Sequence, residues 1–245
     1  MVMQIWAEMT WEEIDQLDRK TLLILPVGSI EQHGQRLPVV ADIFYANHLA
    51  RGVAEKISSS VLLPSLNYGM SWHHSEFPGT IWFKPGTYMA VIEDLFVSLL
   101  RQGFKRILVV NGHGGNHKWI EQVIVQVKVD FPECLVRNPV IQVLEDPEFQ
   151  KMYLNFNGED LVHAGSLETS TFGAIAPGMV RAKSVVTDVP KKAQYGEGVN
   201  SPLAWREMFP RGQKGNQKVF LQEEGEKVND FILGKVVDVA KSMMG

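Results

Sequence analysis

Three short, almost wholly apolar runs restrict this chain to one kind of architecture. "LLILPV" (Leu22–Val27), "SVLLP" (Ser60–Pro64) and "ILVV" (Ile107–Val110) lack the alternation of a half-exposed strand. Runs of that kind are strands buried on both faces. Between and after them lie segments with helical spacing: "DIFYANHLARGVAEKI" from Asp42, "TYMAVIEDLFVSLLRQG" from Thr87, "HKWIEQVIVQVKVDF" from His117, and "EEGEKVNDFILGKVVDVAKSMM" from Glu223. Apolar strands alternating with amphipathic helices predict an α/β fold with a mostly parallel, doubly wound-like sheet and helices on both faces. A capping box, Thr10 with Glu13, predicts a short helix near the N-terminus, and Gly103 is a natural residue to follow the end of its helix. "CLVRNPVIQVL" (Cys134–Leu144) reads as a further strand, weakened by Pro139. No internal repeat or low-complexity linker divides the chain, so residues 1–245 read as a single domain. The stretch Lys183–Gly215 is irregular, with the exposed-looking "SPLAWREMFPRGQKGNQ", and reads as a lid or an oligomer arm.

Charge and composition exclude several functions. With 24 basic and 28 acidic residues the formal charge is −4, which gives no electrostatic reason to expect nucleic acid or an anionic membrane as partner. No apolar run approaches the roughly 20 residues of a membrane helix. The N-terminus lacks the basic-then-apolar order of a secretory signal. The single cysteine, Cys134, excludes an intramolecular disulfide, suits a cytoplasmic location and reads as structural. A small-molecule substrate is the expected partner.

The polar residues that follow the strands carry the chemistry. Ligands of open parallel sheets bind beyond the carboxyl ends of the strands. "GSIEQHG" places Glu31 and His33 there, two apart, so that an extended chain presents both on one side. Asp42 is far enough on for the loop to return it to the same place. "NGHGGN" places His113 between glycines after another strand. Glu31, His33, Asp42 and His113 form the carboxylate–imidazole set that suits Zn²⁺, Mn²⁺ or Fe²⁺ rather than Ca²⁺. The set exceeds what one tetrahedral ion needs, so two ions sharing a carboxylate are plausible. The bland alternative is a solvated polar loop. "NGHGGN" has an alternative as well, a phosphate-cradling turn, but it lacks both the P-loop G-K-[ST] and the third glycine of a dinucleotide loop. In "HAGSLETS" (His163–Ser170), Glu168 sits in the first turns of an expected helix, as a ligand or merely as a complement to the helix dipole.

Taken together, "LPVGSIEQHGQRLPVVAD", "FPGT", "NGHGGN" and "HAGSLET", spread from Leu25 to Thr169, resemble the creatininase family of amidohydrolases. The last seventy or so residues match less clearly. The resemblance implies a three-layer αβα sandwich, two divalent metal ions per chain and a homohexamer. It also implies site roles: Glu31 and His113 on one metal, His33 on the other, Asp42 bridging, and His163 acting on substrate as acid, base or hydrogen-bond donor. Creatininase itself carries a metal-binding glutamate in its N-G-H-x-E-N loop, where this chain has Gly115. Relatives with "NGHGGN" take that ligand from the glutamate of "HAG-x-x-ET", here Glu168. By family pattern His73, His74 and Glu76 fall near the site, with a polar loop at a subunit contact as the alternative, and Gly114 lies beside the substrate. Where creatininase closes a tryptophan over creatinine, this chain has Glu159 and Asp160, an acidic pair better matched to a hydroxylated or cationic substrate. Trp72, Trp82 and Trp205 suit a pocket, a core or an interface equally well.

The expected function is that of a metal-dependent hydrolase, in which a metal-bridged hydroxide cleaves an amide, either a lactam or a formamide. Alternatives inside the family are hydrolysis of a cyclic keto-sugar or keto-inositol at a C–C bond, and cleavage of small peptides. Outside it stand an inactive metal-binding protein and a Rossmann-like nucleotide binder.

Overall fold

The computed structural model describes residues 3–153, 163–181, 205–215 and 221–245. Five parallel strands form one sheet in the order β1-β3-β2-β4-β5. They are β1 (Gln4–Ile5), β2 (Leu22–Val27), β3 (Ser60–Leu62), β4 (Arg106–Asn111) and β5 (Leu135–Arg137). The helices are α1 (Trp11–Asp15), α2 (Ala41–Lys56), α3 (Pro85–Arg101), α4 (His117–Asp130), α5 (Val140–Leu144), α6 (Pro147–Tyr153), α7 (Ser166–Ile175), α8 (Trp205–Met208) and α9 (Gln222–Ser242). None of these is long and apolar enough to cross a membrane.

The two-residue alternation of the central strands sorts the core into two layers. Leu22 and Ile24 of β2, with Leu108 and Val110 of β4, face α2, α5 and α9 through Leu49, Val53, Val140, Ile232 and Val236. Leu23, Leu25, Ile107 and Val109 face α3 and α4 through Ile92, Phe96, Ile120 and Val123. The result is the expected α/β sandwich, with the sheet buried on both sides. Truncating a fully buried contact such as Phe96 to alanine costs about 3–5 kcal/mol by the usual scale.

Pro26 lies inside the central strand, where a missing donor normally breaks the ladder. Its carbonyl accepts from Leu66 N, so its nitrogen faces the same side, beyond the end of β3 at Leu62. No ladder bond is lost there.

Three expectations are corrected. The run after Cys134 is not one strand: β5 stops at Arg137, and Pro139 caps α5 instead, since a ring-locked φ suits a helix start. The second apolar run is a regular strand only over Ser60–Leu62, although Leu63 N still donates to Ile24 O and Leu66 bridges to Val27. The tail of the irregular stretch is exposed only in part: Arg206, Glu207, Pro210 and Arg211 face outward, whereas Trp205 and Phe209 are buried. The edge strand β1 was not legible as a strand. The Thr10–Glu13 capping box is present at α1, and Gly103 follows α3 at φ 93°.

Candidate metal centre

From β2 the chain crosses through α2, on one face, to β3; from β4 it crosses through α4, on the other face, to β5. The adjacent strands β2 and β4 therefore flank the switch point, where loops diverge and leave a crevice. Two glycines close its floor. A Cβ on Gly28 would lie 2.6 Å from the Ile43 backbone, and one on Gly112 would collide with Asp42 O. Only glycine lets the first turn of α2 rest on both strand ends. That contact carries the Asp42 carboxylate beneath the loops after β2 and β4.

The expected ligands converge there. His33 Nε2 lies 3.0 Å from Asp42 Oδ1 and 4.0 Å from Glu168 Oε2. His113 Nδ1 is 3.1 Å from Asp42 Oδ2, and its Nε2 is 3.3 Å from Glu31 Oε2. His163 Nδ1 and His74 Nε2 each sit 3.3 Å from Glu31 Oε1. Asp42 thus stands between Glu31 with His113 on one side and His33 with Glu168 on the other. Glu168 reaches the centre because Ala164 adopts φ 54°, a left-handed turn that costs an L-residue about 1–2 kcal/mol. That turn aims His163 inward and lets Glu168 Oε2 accept from Ala164 N at 2.6 Å.

The donor set fits divalent cations. Glu31 and Asp42 are buried, and the groups facing both oxygens of Glu31 and Oδ2 of Asp42 are imidazole nitrogens 3.1–3.3 Å away, with no well-formed hydrogen bond to those oxygens. Two carboxylates buried this close together are costly unless enough positive charge faces them, which imidazolium or a divalent cation can supply. Ligand atoms of three overlapping groups, Glu31–His33–His163, Glu31–His73–His74 and Glu31–Asp42–His113, cluster within 4.8 Å. His33 Nδ1 faces Glu31 O at 3.0 Å and His113 Nε2 faces Met70 O at 3.2 Å. Donation to those carbonyls turns the other ring nitrogen of each histidine toward Asp42, the usual support of a ligating histidine.

The charges respond accordingly. Burial pushes the Glu31 carboxyl up to about 7, against the pull of the His113 imidazole. Burial also opposes ionisation of Asp42, but His33 and His113 outweigh it and hold that carboxyl well below the usual range. Burial lowers His33, yet Asp42 overcomes this and raises it to about 10. His113 follows to about 9, desolvation being outweighed by Glu31 and Asp42. Burial drives His73 down to about 3, helped by His113, and holds His74 and His163 well below the usual imidazole range, with neighbouring histidines adding to the effect.

These values carry a prediction. Metal-free protein at pH 7 holds His33 and His113 as imidazolium, and both must be neutral to ligate. Glu31, near its midpoint at pH 7, must ionise as well, so loading should release more than two protons per chain, and apparent affinity should climb from pH 6 toward pH 9. Zinc titration in weak buffer with a pH indicator reads this; loading without proton release would refute the assignment.

A cavity of about 310 Å³ opens on the centre, the scale of a small-molecule site. His73, His74, His113, Gly114, His163 and Glu168 line it. Glu76 does not: it is exposed, and only its carbonyl is engaged, by Arg206. Glu159 and Asp160 lie outside the described residues. Trp72 and Trp82 are partly exposed at 38% and 37% and stay out of the lining.

Gly115 has no room for a side chain, since a Cβ would collide with the His113 ring and lie 2.7 Å from Met70 O. Residues that sequence reasoning missed include Gln32, which contacts His74 and His163, and Ser71, 3.2 Å from His113 Nε2. Trp205 covers the site, its ring centroid 4.4 Å from His74 and 5.5 Å from His163. Its indole donates to Gly212 O at 2.9 Å.

A family model described as creatinine amidohydrolase matches residues 7–240. The creatinine amidohydrolase of Pseudomonas putida is 30% identical over 96% of this chain and 95% of its own. A mycofactocin precursor peptide peptidase of Mycolicibacterium smegmatis is 31% identical over 79% of this chain and 69% of its own. A 3-dehydro-scyllo-inosose hydrolase of Thermotoga maritima is 27% identical over 80% of this chain and 66% of its own. Among solved structures, an E122Q mutant creatininase complexed with creatine superposes with a TM-score of 0.83 at 26% identity, over 98% of both chains. The same mutant in a Zn-Zn form, also 26% identical, and a manganese creatininase, 25% identical, each superpose at 0.82 over 97% of both chains.

Proposed function

The chain belongs to the creatininase family, and from that premise we propose that it is a hydrolase cleaving a carbon–nitrogen amide bond at a centre of two divalent cations. The observation that carries this reading is the buried carboxylate pair, Glu31 and Asp42, set among imidazoles whose nitrogens lie 3.0–3.3 Å away. Glu31 and His113 would hold one cation, His33 and Glu168 the other, with Asp42 shared; zinc, manganese and iron suit these donors. Cations so held supply Lewis acidity and lower the pKa of water toward about 7.

The chain's own residues supply the rest. His163 Nε2 faces Gln32 O at 2.8 Å, which fixes the ring proton on that nitrogen and leaves the Nδ1 lone pair toward the centre. Neutral His163 can take a proton there and hand it to a leaving nitrogen. Trp205 roofs His74 and His163 and keeps bulk water from the reacting bond, which strengthens every charge interaction inside.

The walls bear on substrate. Leu37, Val140, Ile141, Leu144, Leu167 and Phe172 also line the cavity. Among the described lining residues there is no lysine or arginine. Such a wall supports a neutral amide with an apolar substituent, a lactam, formamide or short peptide, over a polyhydroxylated keto-inositol or a phosphate ester. Protein stripped with chelator and reloaded with Zn²⁺ or Mn²⁺ should hydrolyse members of a panel of lactams, N-formyl amines and dipeptides. Activity confined to cyclic ketones, or undiminished by chelation, would overturn the reading.

Exposed Tyr68, Trp72, Ile81 and Trp82 lie on segments paired through Gly69 and Trp82. They offer apolar surface for the homohexamer that the family suggests, and the sedimentation mass would test it.

A further inference from the structure

We propose that His74 binds substrate as a hydrogen-bond donor, with its proton placed on Nε2 by Gln32. Two backbone groups beside Gln32 each have one possible role. Gly34 N–H can only donate, and it reaches Gln32 Oε1 at 2.9 Å. Gly212 O can only accept, and it lies 2.9 Å from Gln32 Nε2. Turning the amide over would set donor against donor at Gly34 and acceptor against acceptor at Gly212. The orientation of this buried side chain is therefore fixed without reference to any histidine.

Gln32 Nε2 then faces His74 Nδ1 at 2.8 Å. Its other proton serves Gly212. His163 Nε2, 3.0 Å away, receives none of these protons, because it donates its own to Gln32 O. His74 Nδ1 must accept. A neutral imidazole carries one proton, so that of His74 is on Nε2. This atom is buried in the cavity wall, 3.3 Å from Glu31 Oε1, and has no hydrogen-bond partner.

Two consequences follow. A protonated Nε2 has no lone pair, so His74 is excluded as a ligand although its ring lies in a group that could hold an ion. An unspent, buried N–H beside a cluster of carboxylates and imidazoles is a ready donor for the carbonyl oxygen of an amide and for the oxyanion that develops from it. Gln32 is a positioning residue: it touches no substrate and sets the polarity of the ring that does. The same amide ties the Trp205–Gly215 segment to the site through Gly212, so the roof and the donor are held by one side chain.

The inference rests on the hydrolase reading for its meaning, but its test needs no turnover. The probe is acetohydroxamate, a small oxyanion-like chelator, added to zinc-loaded protein. Solid-state ¹⁵N spectra of [¹⁵N]histidine protein, with His74 assigned by its loss in His74→Phe, should show the Nε2–H tautomer, and its signal should move on hydroxamate addition. Gln32→Glu should shift that proton to Nδ1, because a carboxylate there accepts. His74→Phe should keep the wild-type zinc content and bind hydroxamate about 10-fold more weakly. His74→Gln, whose amide can donate, should recover most of that loss and covers the case in which the phenylalanine variant misfolds. A wild-type Nδ1–H tautomer, zinc lost from a folded His74 variant, or hydroxamate affinity unchanged in both variants would each overturn the proposal. Failure to hydrolyse any amide, with these results intact, would count against the hydrolase reading alone.

Discussion

Asp42→Ala is expected to yield protein that holds almost no divalent metal and shows no activity above background. Asp42 is the residue that touches both histidine ligands, with one oxygen 3.0 Å from His33 and the other 3.1 Å from His113. It is buried, and those imidazoles keep it ionised. Alanine removes a shared ligand and the charge that holds two cations at neighbouring positions. It also takes from His33 its main counter-charge and from His113 one of two, a break that costs about 3–5 kcal/mol at buried pairs. Thermal unfolding should fall even for metal-free protein. Asp42→Asn keeps the volume and should fold better while still failing to load, which separates lost ligation from lost structure. A folded variant that retained two cations would show that another group bridges them. Glu168 is the contrasting case: its side chain is 42% exposed and 4.0 Å from His33, so Glu168→Gln should lose one cation and keep the other.

His163→Ala should behave in the opposite way, retaining both cations while kcat falls by about 10² to 10⁴. His163 approaches Glu31 through Nδ1, but its other nitrogen is spent on Gln32 O and its ring packs against Trp205. It is placed to hold and pass a proton rather than to anchor charge. Because the proposed assignment gives it no cation, metal content should be unchanged within measurement. Should the variant come off the column depleted of metal, His163 is a ligand and the proton-transfer role belongs elsewhere.

The layers of this fold were readable because burial on both faces leaves a plain signature: Leu22–Val27 and Arg106–Asn111 have almost nothing polar to alternate with. The candidate ligands could be picked out for a related reason. Glu31, His33 and His113 directly follow strands whose carboxyl ends must open at one crevice. What stayed hidden depends on contacts between distant segments. Nothing local marks Gln32 as the hinge between two histidines and Gly212, 180 residues away. Trp205 suits a pocket, a core or an interface equally well by sequence, and its place as a roof depends on Gly212 accepting from its indole. Pro139 was weighed as a flaw in a strand, whereas tertiary packing makes it a helix cap. Glu76 has the same local appearance as the histidines beside it, and only the turn of the chain sends it outward.

The most direct test of the account is the metal content of purified, functional protein, measured by inductively coupled plasma mass spectrometry against amino-acid analysis. The account predicts about two equivalents of zinc, manganese or iron per chain, falling to near zero in Asp42→Ala. A wild-type value near zero after growth and loading in all three metals would contradict it, as would a value that Asp42→Ala leaves unchanged.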